Sequence, residues 1–169
     1  YVEGQRLAGA KRMTLNNLNQ VPGIINTCLA YKIMTDAGLP APRCSFARVH
    51  VNGEDLGLYA HVDAIKTAFL ERNFGDATGN LYEGVLSDFT PLYSQTWEKK
   101  TNEEADDWSD IDAAIAALAK EDDELIDALS QVIDLNAFYT FWATEVLLGH
   151  WDGYAGNQNN FYIYGAPLD

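Results

Sequence analysis

The chain reads as an α+β protein on three observations. Two β-rich runs, residues 45–51 and 54–62, flank the dipeptide Asn52-Gly53. Ahead of them, apolar residues recur at helical spacing from Ile24 to Ala37. A helical half comes last, at about 109–148, and leads through a polar stretch into Phe161-Tyr162-Ile163-Tyr164. Strands and helices are therefore grouped, which is not the regular alternation of a doubly wound parallel sheet.

Each element has its own signal. Residues 11–15, Lys-Arg-Met-Thr-Leu, predict a short strand ended by Asn16, Asn17 and Asn19. In the next segment Ile24, Ile25, Cys28, Leu29, Ile33, Met34 and Ala37 mark one face of a helix; Gly38 supplies its stop, and Pro40 and Pro42 prevent continuation. Asn52-Gly53 favours positive φ at both turn positions, as a type I′ hairpin requires. The hairpin 45–62 is expected to pack on the helix 24–37, covering Ile25, Leu29 and Ile33. A short helix over 65–73 and a short strand at Gly79-Asn80-Leu81-Tyr82 follow. Residues 86–110, rich in Ser, Thr and Asp, predict a long acidic surface loop. Helices are predicted over 109–119 and 122–132. A third begins at the N-cap Asp134 and ends at Gly149, and its Leu135, Phe138, Phe141, Trp142, Val146 and Leu147 suit a central core helix.

Composition narrows the function classes. Of 169 residues, 47% are hydrophobic and 12% aromatic, enough to build a core. Acidic residues number 25 and basic ones 11, a formal charge of −14. That field repels phosphate backbones, and no basic cluster offsets it, which argues against nucleic-acid binding. It favours solubility in a salty or extracellular medium, and it obliges any nucleotide to arrive with Mg²⁺ and local cations. No apolar run reaches the roughly 18 residues of a membrane span. Cys28 and Cys44 lie sixteen residues apart, a spacing that fits no metal motif. Cys28 falls on the apolar helix face, so a buried free thiol is the expectation, with a disulfide the lesser alternative. Tyr1 in place of Met, and the tail Ala166-Pro167-Leu168-Asp169 with no closing element, suggest a piece of a longer chain.

The chemistry-bearing stretch is His150-Trp151-Asp152-Gly153-Tyr154-Ala155-Gly156-Asn157-Gln158-Asn159-Asn160. A helix delivers a polar loop and the loop delivers a strand, the context in which protein kinases place their catalytic loop. There an Asp accepts the proton of the substrate hydroxyl, and an Asn further on holds Mg²⁺ beside the ATP phosphates. His150, Asp152 and Asn157 match the literal H-x-D-x-x-x-x-N spacing. Asn160 instead holds the position directly before the strand, where a side chain's direction is fixed. On that ground Asn160 is the preferred metal ligand and Asn157 the second choice, with the amide oxygen of Asn160 expected to point toward the Asp152 carboxylate and Asn157 to point away. Asp, Gly and Asn are also ordinary turn formers. His150 is expected to bond a helix-end carbonyl, and Trp151 and Tyr154 to serve packing.

Four ordered stretches carry a family resemblance. Leu148-Gly149-His150-Trp151-Asp152-Gly153-Tyr154 followed by Asn159-Asn160-Phe161-Tyr162-Ile163-Tyr164 resembles the pattern LGNWDGY followed by NNYYLY of the CotH kinases. Leu29-Ala30-Tyr31 through Asp36-Ala37-Gly38-Leu39-Pro40-Ala41-Pro42-Arg43 is similar to their LAYDLFRDAGVPAPR. Val51-Asn52-Gly53-Glu54 with Gly57-Leu58-Tyr59 is similar to VNGEYWGLY. Phe69-Leu70-Glu71-Arg72 through Asp76, then Gly79-Asn80-Leu81-Tyr82, is similar to FLERRFGD followed by GNLY.

The resemblance spans about residues 11–164. It implies a single partial domain over 1–169 with a reduced, atypical protein-kinase-like fold: a nucleotide-lobe part at 1–84, the acidic loop, and a helical part at 109–169. It also implies ATP- and Mg²⁺-dependent transfer of phosphate to Ser or Thr of a protein substrate, and a secreted or surface setting linked to spore coats. It places an acidic nucleotide-site residue at Asp63, one carbon shorter than the family's Glu, and leaves Lys11 as the fallback phosphate-binding lysine. An Arg-Glu pair common in the family falls on Asn26 and Thr27, a departure that favours the alternative of an inactive pseudokinase or surface interaction domain. A second metal-binding Asp would follow residue 169, so this stretch alone is expected to be inactive.

Overall fold

A computed structural model describes residues 4–6, 12–19 and 23–167. Lys11 lies outside the described residues. The chain forms two compact units, Tyr1–Asn73 and Phe74–Asp169.

The first unit holds a three-stranded antiparallel sheet in the order β1-β3-β2, from β1 (Thr14–Asn16), β2 (Cys44–Val51) and β3 (Glu54–Val62), with helices α1 (Asn26–Asp36) and α2 (Thr67–Phe74). Asn52 and Gly53 have φ of 52° and 85°, the pair of left-handed values that closes a two-residue hairpin matched to strand twist. The register runs from Val51↔Glu54 to Cys44↔Val62, with an irregularity between Val49 and His50. Helix α1 stops as expected: Gly38 has φ 82°, its N–H bonds Thr35 O, and the Leu39 N–H bonds Met34 O, closing the helix end with its own carbonyls.

Two expectations fail here. Cys28 and Cys44 are joined in a disulfide with Cα atoms 5.1 Å apart, so neither is a free thiol. The bridge pins α1 to the first residue of β2. The sheet covers the apolar stripe of α1 only in part: Ile33 and Cys28 are half-buried, whereas Ile25 is 60% and Leu29 49% exposed, and no residue of α1 is fully buried. Residues opposite one another in an antiparallel pair share a face, so Cys44, Phe46, Leu58, Ala60 and Val62 lie on one side of the hairpin. Ala60 on that side is buried, whereas Phe46 and Leu58 are exposed. Helical spacing identifies an apolar stripe, but not the surface that meets it.

The second unit is built on the antiparallel sheet β5-β4-β6, from β4 (Asn80–Gly84), β5 (Trp97–Lys99) and β6 (Phe161–Gly165). Strand β5 lies inside the stretch expected to be loop, where Trp97 is buried in the core with Tyr82, Ile111 and Phe161. Helices α3 (Ser109–Leu118), α4 (Asp122–Ser130) and α5 (Leu135–Leu148) follow the predicted bounds closely. Asp134 caps α5 by accepting from Ala137 N at 3.0 Å, and Gly149 closes it at φ 65°. Helix α5 is not a central core helix. Its covered face carries Phe138, Phe141, Thr144 and Glu145, whereas Tyr139, Trp142, Val146 and Leu147 are exposed, Leu147 at 80%. Apolar residues occur all round this helix, so apolar content alone cannot say which strip is covered. Trp151 is likewise not a packing residue: beyond the left-handed turn at Gly149 it is 76% exposed.

Candidate active site

The site loop begins where α5 ends and finishes at β6. Its middle is not irregular, because Tyr154–Asn157 form a helical turn, α6. The helical turn is closed by Asn157 N to Gly153 O at 2.9 Å, and the tight turn before it by Gly153 N to His150 O at 3.1 Å. Tyr154 packs as expected, with its ring centroid 4.9 Å from that of Phe161. Its hydroxyl donates to Asp88 Oδ1 at 3.3 Å, and burial followed by the Asp88 charge pushes its pKa up to about 12. Gln158 Nε2 donates to Asp88 Oδ2 at 3.1 Å, and Ser87 N donates to Gln158 O at 2.9 Å. The segment after β4 is therefore stitched to the loop.

Three carboxamides converge on Asp152. Asn157 Nδ2 donates to Oδ1 at 2.8 Å, Asn159 Nδ2 to the same oxygen at 3.3 Å, and Asn160 Nδ2 to Oδ2 at 2.6 Å. Asn160 also donates to the backbone carbonyl of Asp152 at 3.1 Å. Both orientations expected of the asparagines are overturned: Asn160 turns its amide nitrogen, not its oxygen, toward the carboxylate, and α6 winds the chain back so that Asn157 points at Asp152. Hydrogen bonds from Asn157, then Asn159, hold the Asp152 carboxyl below the usual carboxylate range; Asn160 and the charge of His150 act in the same direction. The group is therefore a carboxylate at neutral pH.

Behind Asp152 lies Glu145, whose side chain was not singled out in the sequence. It is 1% exposed, with Oε1 2.8 Å from His150 Nδ1 and Oε2 accepting from Ala155 N at 3.0 Å. The His150 ring thus pairs with this carboxylate, while its backbone N–H meets the helix-end carbonyl of Glu145 at 3.0 Å. The available signal was the lone acid within the apolar run Leu135–Leu148.

The predicted site residues therefore divide. Asp152, Asn157 and Asn160 are brought together. Asp63, in the first unit, is bound by Arg43 Nε at 2.6 Å and lies 3.1 Å from Arg72 Nη1. Partial burial opposes ionisation of Asp63, but the Arg43 hydrogen bond and the two arginine charges hold its carboxyl below the ordinary range. Among the described residues, no three His, Cys, Asp or Glu side chains converge as a metal cluster. Asp152 with the carboxamide oxygens of Asn157 and Asn160 offers hard oxygen donors of the kind Mg²⁺ accepts alongside substrate phosphates. The amides now present N–H to the carboxylate, so one must turn its oxygen inward to serve.

The family model described as CotH kinase protein matches residues 1–169. The chain belongs to the CotH kinase family. It is 24% identical over 178 residues to Invasin CotH7 of Rhizopus delemar, covering 96% of this chain and 29% of that protein. Spore coat protein homolog 1 of the same organism is 23% identical, with 96% and 28% covered. Inner spore coat protein H of Bacillus subtilis is 22% identical, with 93% and 46% covered. This CotH-family chain thus spans less than half the length of each of these relatives. No helix among its described residues is long and apolar enough to cross a membrane.

Proposed function

We propose that the full-length protein is an atypical kinase that transfers the γ-phosphoryl group of ATP to Ser or Thr of a surface or coat protein. The observation that carries this reading is the ionised Asp152, held by three asparagines at a helix–loop–strand junction within a CotH kinase domain. In this reading the substrate hydroxyl oxygen forms the new bond to the γ-phosphorus, ADP leaves, and Asp152 orients the hydroxyl and takes its proton. A depressed pKa suits an acceptor that must stay charged, at some cost in intrinsic basicity. Asn160, or Asn157, would hold Mg²⁺, which when bound supplies neutralisation of phosphate charge. The family resemblance assigns Asp63 to nucleotide binding, with Lys11 as the fallback phosphate contact.

The Cys28–Cys44 bridge supports a secreted setting, since disulfides persist in oxidising compartments. The spore-coat and invasin names of the relatives point the same way. A second reading, a pseudokinase or interaction domain acting through the acidic segment 86–110, is favoured by Asn26 and Thr27 in the first turn of α1. Incubating the full-length protein with γ-labelled ATP, Mg²⁺ and Ser/Thr-containing coat or surface protein separates the two. The kinase reading expects phosphoserine or phosphothreonine that EDTA abolishes. ATP binding without transfer hands the protein to the second reading.

A further inference from the structure

We infer that Glu145 is the positioning residue of the Asp152 loop. This inference rests on the kinase reading for its catalytic consequence, but not for its geometry. A carboxylate buried to 1% exposure, the one charged group of its helix, is costly unless its oxygens are hydrogen-bonded. Both are: one oxygen holds His150 and the other holds the Ala155 N–H. These partners bracket Asp152, two residues before it and three after. A single side chain thus closes the loop from the α5 side, while Asn157, Asn159 and Asn160 close it from the β6 side.

The helix itself does not need this side chain. The carbonyls of Glu145 and Val146 near its end are met by the backbone N–H groups of Gly149 and His150. The space next to Glu145 is also committed. A Cβ on Gly153 would sit 2.2 Å from Glu145 Oε1 and 2.4 Å from His150 Nδ1, so the backbone immediately after Asp152 runs against the carboxylate. Glu145 therefore sets where the Asp152 peptide lies, without standing among the groups assigned to touch substrate.

Two variants of the full-length protein separate reach from charge. Glu145→Gln keeps the length: its oxygen accepts from Ala155, and its amide donates to His150 Nδ1 in the other imidazole tautomer. Glu145→Asp keeps the charge but is one methylene too short to hold both partners. Positioning predicts that Glu145→Asp loses on the order of 100-fold in kcat, the scale of a small misplacement at a reacting group. Glu145→Gln should lose at least about ten-fold less, and KM for ATP should stay unchanged in both. The Ala155 amide should remain protected from hydrogen exchange in wild type and Glu145→Gln, and exchange fast in Glu145→Asp. Equal losses, the reverse order, wild-type kcat in both, or a Glu145→Gln protein that does not fold would overturn the assignment. If wild type transfers no phosphate the kinase reading falls, and if Asp152→Asn transfers it as fast as wild type the role of Asp152 falls, while the exchange at Ala155 still decides the role of Glu145 in the loop.

Discussion

Asn160 reaches Asp152 twice from one nitrogen, to the carboxylate at 2.6 Å and to the backbone carbonyl at 3.1 Å. Asn157 reaches it once, at 2.8 Å. Asn160 is followed directly by the paired residue Phe161 of β6, whereas Asn157 ends the single turn α6. The residue tied to the sheet has the less backbone freedom, so an Asn160 amide turned to present its oxygen would do so from a fixed position, which Mg²⁺ rewards. Asn160→Ala is therefore expected to raise the Mg²⁺ concentration for half-maximal transfer by about ten-fold or more, on the scale of other losses at metal sites. Asn157→Ala should raise it much less. A Mg²⁺ titration of both variants decides, and the reverse ranking gives the role to Asn157.

The pH dependence follows from the same hydrogen bonds. The folded Asp152 carboxyl titrates below its ordinary value, chiefly through Asn157 and then Asn159. Because the folded pKa is depressed, the ionised form is favoured above it, and the linked stability is lost only as pH falls through it. In kcat/KM, the acid limb belonging to Asp152 should lie below the ordinary carboxylate range. Asn157→Ala should move that limb upward. A pH–rate profile whose acid limb is identical in wild type and Asn157→Ala would contradict this account of the carboxylate.

The disulfide supplies a third expectation, confined to the first unit. Joining Cys28 to Cys44 closes a loop with a separation of 16 residues. A loop of that size contributes roughly 3 kcal/mol by restricting the unfolded chain. The double variant Cys28→Ser with Cys44→Ser, or reduction by a thiol, should lower the first unit's unfolding free energy by about that amount in a denaturant titration. An unchanged midpoint under reducing conditions would show that the bridge does not stabilise the unit.

Local signals in the sequence were reliable where local chemistry decides structure. Asn52-Gly53 specified its turn, Gly38 and Gly149 their helix ends, and Asp134 its cap, because each acts on backbone groups within a few residues. What the sequence did not reveal depends on partners distant along the chain. Trp97 joins the sheet only through β4, so β5 was hidden within an acidic stretch. The helical period of α1 did not disclose that Ile25 and Leu29 stay exposed, nor the apolar run of α5 that its covered face includes Glu145. In the site, spacing singled out Asp152, Asn157 and Asn160, and the fold brings them together. The direction of Asn157 was not legible, because it follows from the single turn of α6. The pairing of Cys28 with Cys44 was equally illegible, since it depends on where α1 meets the start of β2.

The most direct test replaces Asp152 by Asn in the full-length protein and measures phosphate transfer from labelled ATP, beside the thermal midpoint and ATP affinity. Asparagine preserves the shape of the side chain but cannot take the hydroxyl proton as a carboxylate does. Transfer is expected to fall by at least about 100-fold, toward the upper range of a general-base contribution, with the midpoint and ATP affinity close to wild type. Transfer at the wild-type rate would remove Asp152 from the chemistry. Loss of transfer together with a collapsed midpoint would make Asp152 a turn-forming residue and contradict the catalytic assignment.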